Sequence, residues 1–247
     1  GAKPLNVCLA QEVERLNGVL RLVRSTLEGL RLAIAGTIVM TPELSDALNA
    51  LHLARVPSTW VKRSQLEASS LSVWFADILR RAEQLGGWLA TGRPSTFWLT
   101  GFFNPQGFLT ANRQEVCRRH AKDAWALDDV VNHTRVTSYE SDDVRKAPEE
   151  GIYVYGLALD GARWDKSGSR LADPNPKALF APLPVMHVSG VLAGEKKSSD
   201  SFSYTGPCYS TPKRGGGSFI FSAELPSSEP PHKWTLRGVA LLCRTDQ

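Results

Sequence analysis

The residues with chemical potential are few, and their spacing argues against most of the chemistry they suggest. Cys117 and His120 lie three apart on a helical stretch, His133 follows, and Cys208 could add a further sulfur. These are zinc-ligand types, but a tetrahedral site would have to recruit its fourth ligand from a distant segment. Gly161 to Lys166-Ser167 approaches a phosphate-binding loop, yet it lacks the glycine before the lysine and a strand-to-helix setting. Lys213-Arg214 before Gly215-Gly216-Gly217 has the makings of an anion nest, although a flexible hairpin loop accounts for the same residues. Acid pairs occur at Asp128-Asp129, Asp142-Asp143 and Glu149-Glu150. Neighbouring residues on a strand face opposite ways, so none of these forms an acid/base couple. His187 alternates with apolar neighbours and reads as a hydrogen-bonded core residue. From the residues alone, no active site emerges.

Helices are expected to position the first half of these residues. Leu9, Val13, Leu16, Leu20, Val23, Leu27, Leu30 and Ile34 recur at alternating spacings of four and three, an apolar stripe on one helix from about Leu5 to Ala35. Glu12, Glu14, Arg15 and Arg21 are among the charges assigned to its other faces. The stripe reads either as a docking face or as packing within its own domain. Thr41-Pro42-Glu43 announces a second helix, with cap, first-turn proline and early acid in order. Pro57 ends it, and Ser58-Thr59-Trp60 reads as a turn with a buried aromatic. A third helix runs from Leu71 to a stop at Gly86-Gly87, and a fourth from Pro105, capped by Asn104, to about residue 122.

After that helix the period changes. Six strands are expected, at Val130–Thr137, Ile152–Leu159, Pro184–Leu192, Phe202–Tyr209, Phe219–Leu225 and Trp234–Cys243. Loops are expected at 141–150, 165–177, 193–201, 210–217 and 226–233. The fold class is therefore α+β, an N-terminal helical part over 1–124 followed by a small antiparallel β-barrel of about six strands over 125–247.

Composition narrows the function classes. Residues 1–96 carry 11 basic and 8 acidic side chains and the rest 18 and 17, so the net charge of +4 is dispersed. A nucleic-acid partner would call for a one-sided basic face. Four separated cysteines make no disulfide framework and fit a reducing compartment. The opening residues carry no secretory pattern, and no apolar run is long enough to span a membrane.

The stretch FWLTGFFNPQGFLTANRQ (97–114) resembles the C-terminal segment of dynein heavy chains. Other matches follow in order: Pro4-Leu5-Asn6 with QEVER (11–15), GTIVM (36–40), Val56-Pro57 with Trp60, GIYVYGL (151–157) and DGARWD (160–165). Pro176-Lys177, Leu179-Phe180, Pro184-Val185 and Trp234 with RGVALLC (237–243) complete the series, and the middle motifs are similar to the axonemal type. Residues 205–217, TGPCYSTPKRGGG, depart from the pattern, being shorter and less regular.

The resemblance implies a non-catalytic regulatory and structural domain without cofactor, lying on the AAA+ motor ring and modulating ATP-driven microtubule motility. It implies AAA+ modules of the same heavy chain as partners, microtubules and dynein-associated chains indirectly, and neither nucleic acid nor membrane. The implied location is the cytoplasm and cytoskeleton, in the axoneme of a cilium or flagellum. Candidate interface or family-signature residues are Trp98, Phe102, Phe103, Phe108, Arg163, Trp164, Trp234 and Arg237. For Trp98, Phe102 and Phe103 the residues favour internal packing; Arg163-Trp164 offers a cation and an aromatic anchor. The competing readings are a barrel that recruits another axonemal protein, and a ligand-binding or enzymatic barrel.

Overall fold

A computed structural model describes residues 3–123, 125–195 and 202–244. The protein is mixed α+β, with helices first and sheets after them. Its contacts divide the molecule into two compact units, one of Leu9–Ala90 and one of the residues up to Cys8 together with those from Thr91 onward.

The helical unit contains most of α1 (Pro4–Ile34), all of α2 (Pro42–His52) and α3 (Ser58–Ser64), and α4 (Leu71–Thr91) up to Ala90. Thr41 caps α2 by accepting from Leu44 N, with Pro42 at the first turn. Two tryptophans form the centre. The Trp60 and Trp74 rings lie 5.5 Å apart, both fully buried, and Phe75 meets each edge-on. Each indole N–H has a partner, Thr26 Oγ1 for Trp60 and Ser64 Oγ for Trp74, as burial of a polar atom requires.

Three sequence expectations are corrected here. The segment at Ser58 is a seven-residue helix rather than a turn, because Trp60 is drawn wholly into the core from its first turn. α4 continues through Gly86-Gly87 to Thr91 and ends before Gly92, whose φ is +90°. Burial of Leu85 and Trp88 on either side of the glycines outweighs their cost of about 1 kcal/mol each. The buried stripe of α1 runs through Leu9, Glu12, Leu16, Val19, Val23 and Leu30, while Leu27 and Ile34 stay exposed at 45% and 66%. Glu12, expected on a solvent face, is only 1% exposed and lies 3.6 Å from Arg15.

In the second unit, eleven strands form three sheets among the described residues. β1 (Phe97–Trp98), β3 (Ile152–Tyr155), β8 (Met186–Leu192) and β2 (Val130–Val136) make a four-stranded sheet in the order β1-β3-β8-β2. β10 (Phe219–Pro226), β9 (Ser203–Tyr209), β11 (Ala240–Leu242), β4 (Ala158–Asp160) and β7 (Phe180–Pro182) make a five-stranded one in the order β10-β9-β11-β4-β7. β5 (Arg163–Asp165) and β6 (Arg170–Ala172) form a hairpin. Most pairs are antiparallel, but β1 with β3 and β11 with β9 are parallel.

The strand expected over Ile152–Leu159 is two strands in different sheets. It breaks at Gly156, whose φ of +87° turns the backbone from β3 into β4. The strand expected from Trp234 begins as a short helix, α6 (Pro231–Leu236), since Pro231 suits a first helical position and cannot donate to a ladder. β1, β5, β6 and β7 are too short to show a period and were not expected. The loop expected at 193–201 lies mostly outside the described residues.

α5 (Pro105–Arg119), capped by Asn104 Oδ1 accepting from Gly107 N at 2.9 Å, packs on the four-stranded sheet. Asn112, almost fully buried, donates to Val188 O, and Arg113 donates to Val130 O. The approach is close at Gly190: a Cβ there would meet Val130 Cγ1 at 2.8 Å and Val116 Cγ1 at 3.1 Å. Contacts thus group α5 with the strands.

Candidate functional site

The aromatic stretch that anchors the sequence folds into the interior of the strand unit. Phe97 and Trp98 form β1, a 3-10 turn over Leu99–Gly101 reverses the backbone, and Phe108 lies in the first turns of α5. Phe102 stacks on Phe108 with ring centroids 4.0 Å apart, and Phe97 closes the cluster at 5.0 Å from Phe108. Trp98, Phe102 and Phe108 are buried; Phe103 is half-buried. Thr100, between them, donates its hydroxyl to Cys243 O at 2.7 Å and lies 3.3 Å from Gly156 O. One hydroxyl thereby ties β1, the β3–β4 break and the end of β11 together. Gly156 is indispensable at that point, since a Cβ would sit 2.5 Å from Trp98 Cδ1. This cluster is a joint between sheets.

The second group of candidates, Trp234 and Arg237, forms a cation–aromatic cluster around α6. The Trp234 indole is fully buried and donates to Ser227 Oγ at 2.8 Å. Lys233 Nζ lies 5.0 Å from its ring centroid and Arg237 5.8 Å, distances at which the ring quadrupole attracts a cation. Both cations converge on Asp173, at 3.1 Å and 2.6 Å, and together they hold its carboxyl below the ordinary aspartate range, Lys233 contributing most. Arg237 itself is exposed. Trp164 is buried in the β5–β6 hairpin and Arg163 is half-buried beside it. The structure does not bring the eight candidates into one site: four sit in or beside the joint, two around α6 and two on the hairpin.

The titratable residues have structural partners. His120, at the end of α5, sits between two carboxylates, Nε2 2.8 Å from Glu150 Oε2 and Nδ1 3.2 Å from Asp123 Oδ2. Its ring also stacks on Trp125 at 4.1 Å. The hydrogen bond to Glu150, then that to Asp123, raises its pKa above the ordinary histidine value. His187 donates from Nε2 to Glu150 O at 2.8 Å, and burial lowers its pKa. Cys208 is fully buried, and desolvation pushes its thiol up. Among the described residues, no group of three His, Cys, Asp or Glu is arranged to hold a metal ion, and no helix is long and apolar enough to cross a membrane.

Sequence reasoning placed Ile34 on the apolar stripe and passed over the other exposed aliphatics. In the helical unit Ile34, Ile38, Val39 and Met40 face solvent around the α1–α2 connection, Val39 at 84%. In the strand unit Leu179 and Leu236 are exposed at 79% and 85%. A signal existed for Leu236: two residues from the buried Trp234 on a helix, it must point roughly the opposite way. Exposed apolar groups concentrated on one segment mark binding surfaces more often than isolated ones do.

Comparison with known proteins fits this architecture to a family. The family model described as the C-terminal domain of the dynein heavy chain matches residues 1–243. The protein is 46% identical over 241 residues to dynein axonemal heavy chain 5 of Mus musculus, and 50% identical over 245 residues to the dynein gamma chain, flagellar outer arm, of Chlamydomonas reinhardtii. It is 37% identical over 242 residues to dynein axonemal heavy chain 9 of Homo sapiens. Each match covers 97–98% of this sequence but only 5% of the relative. With nearly its whole length matched, the chain belongs to the family of C-terminal domains of dynein heavy chains.

Proposed function

We propose that the protein is the non-catalytic, regulatory and structural C-terminal domain of an axonemal dynein heavy chain, acting in the cytoskeleton of a cilium or flagellum. It packs on the AAA+ ring of its own heavy chain and modulates ATP-driven microtubule motility. The observation that carries this is the family match over 1–243. The aliphatic groups left in solvent at 34–40, at Leu179 and at Leu236 supply surface for the ring modules. Microtubules and dynein-associated chains are then indirect partners.

The mechanism is differential binding. A folded body that touches more than one ring module favours the ring conformations in which all its contacts are made, and only by the difference in contact energy between states. Trp98, Phe102, Phe103 and Phe108 keep the body rigid, the buried Trp164 and Trp234 anchor the hairpin and α6 from within, and Arg163 and Arg237 reach the surface. The sheets are proposed to act as one barrel. Its supporting contact is between the edge strands of the two large sheets, where Glu224 N of β10 donates to Thr134 Oγ1 of β2 at 2.8 Å.

The test compares the heavy-chain motor with versions carrying Val39→Lys or Leu236→Lys, and with one ending after Ala90, which removes the part of the strand unit that begins at Thr91. Changed ATPase rate or gliding velocity with nucleotide binding intact is the expected result. Unchanged gliding in all three refutes regulation by this domain. Capture of a different axonemal protein that depends on Leu236 would instead favour recruitment.

A further inference from the structure

We propose that Thr211 is a phosphoacceptor for a protein kinase that requires proline directly after the acceptor and a basic residue three positions on, and that Arg214 gates its access. The motif Thr211-Pro212-Lys213-Arg214 lies in the connection between β9 and β10. The inference is argued from these residues and does not rest on the motor reading. Only two Thr-Pro pairs occur in the sequence. The other, Thr41-Pro42, is followed by Glu43-Leu44, and its hydroxyl is engaged in capping α2. It serves as an internal control.

Position favours Thr211. The connection between β9, ending at Tyr209, and β10, starting at Phe219, is closed by Ser210 N donating to Ser218 O at 2.8 Å. Beyond that closure Thr211 begins a turn in which Arg214 N donates to Thr211 O at a long 3.3 Å. Among the described residues the Thr211 hydroxyl has no hydrogen-bond partner, and the residue is half-buried rather than enclosed. Among the described residues no peptide bond is cis, and a trans-proline biases the residue before it toward extended backbone, the form in which a substrate segment lies in a kinase groove.

The basic residue at the third position is occupied in the folded protein. Arg214 Nη1 donates to Gly238 O at 2.6 Å, and Nη2 pairs with the Asp160 carboxylate on β4. A kinase that needs this guanidinium must take it from Asp160. In the transfer, a bond forms between Thr211 Oγ1 and the γ-phosphorus of Mg-ATP. The bond from that phosphorus to the β,γ-bridging oxygen breaks, ADP leaves, and the hydroxyl proton passes to the kinase's catalytic carboxylate. The product carries about −1.5 to −2 charges at pH 7 beside Lys213 and Arg214. It then competes with Asp160 for Arg214, so phosphate and clamp oppose each other.

The 247-residue protein, incubated with a proline-directed serine/threonine kinase of the cyclin-dependent class and Mg-ATP, tests this by intact mass and fragment mapping. The expected product has a phosphate at Thr211 and none at Thr41, and it disappears in Thr211→Ala and in Pro212→Ala. Asp160→Asn should raise the initial rate roughly threefold, the population shift that loss of a partly exposed ion pair allows. Unaltered amide exchange in β9 and β11 would show that the variant has not simply unfolded. A native protein left unmodified at Thr211 overturns the proposal, whether or not a peptide of 205–217 is modified by the same kinase. An Asp160→Asn rate equal to that of the parent removes the gating role.

Discussion

Gly156→Ala tests whether the joint between the two large sheets rests on one missing side chain. Two costs add at this position. The φ of +87° is a left-handed conformation, which costs an L-residue about 1–2 kcal/mol. The new Cβ would also lie 2.5 Å from Trp98 Cδ1 and 2.8 Å from Nε1. Trp98 is buried and cannot swing into solvent, and such overpacking costs about 1–3 kcal/mol. The expected loss is therefore roughly 3 kcal/mol, read as accelerated amide exchange across β3 and β4. Gly92→Ala separates the two costs. Its φ is +90° and a Cβ there would meet nothing within 4 Å, so only the backbone cost of about 1–2 kcal/mol applies. The gain of about 0.4–1 kcal/mol from stiffening the unfolded polypeptide applies to both variants and cancels in the comparison. In a double-mutant cycle Trp98→Leu should relieve part of the Gly156→Ala penalty. Equal losses in the two glycine variants, or strict additivity with Trp98→Leu, would refute the steric argument.

The His120 clasp should respond to pH. Its folded pKa is raised by Glu150 and Asp123 above the unfolded value near 6.5, so its stabilising contribution is complete below that value and is lost as pH rises through the folded pKa. Amide protection factors at 119–123 and 149–151, corrected for the intrinsic pH dependence of exchange, should fall over that interval in the parent and stay flat in His120→Gln. His187, whose pKa is lowered by burial, runs the other way: its contribution is present above the unfolded value and declines as pH falls through the folded one. Proton titration of both rings by NMR gives the signs directly, and a common direction would contradict the geometry. Ser227→Ala strands the Trp234 indole N–H and Glu229 N, both now donating to Ser227 Oγ at 2.8 Å. A loss of about 2 kcal/mol in urea unfolding is expected, and a loss under about 0.5 kcal/mol would mean that water replaces the hydroxyl.

The sequence determined what neighbouring residues decide among themselves. Thr41-Pro42 and Asn104-Pro105 start helices because each cap oxygen and each proline acts within one turn, and both caps form as read. Val130–Val136, Met186–Leu192 and Ser203–Tyr209 are long enough for alternation to show, and each lies within a stretch expected as a strand. The burial of Trp98 and Phe102 was legible from their apolar setting, whereas Phe103, read the same way, is half-buried; Arg237 was singled out through the family pattern, not through any local period.

Tertiary structure decided the rest. Helical spacing alone allows the stripe of α1 to pivot through Glu12 and Val19 as readily as through Val13 and Leu20. The partners of the helix chose the first, leaving Leu27 and Ile34 in solvent. Gly156 looked like one glycine inside a strand; only Trp98, 58 residues earlier, makes it the point where one sheet becomes another. α5 reads as the last of the helices, yet Asn112 and Gly190 join it to the four-stranded sheet. Local preference among such alternatives is worth a few tenths to one kcal/mol per residue, whereas burying one large side chain is worth about 1.5–3 kcal/mol. Wherever the two disagreed, packing between distant residues set the structure.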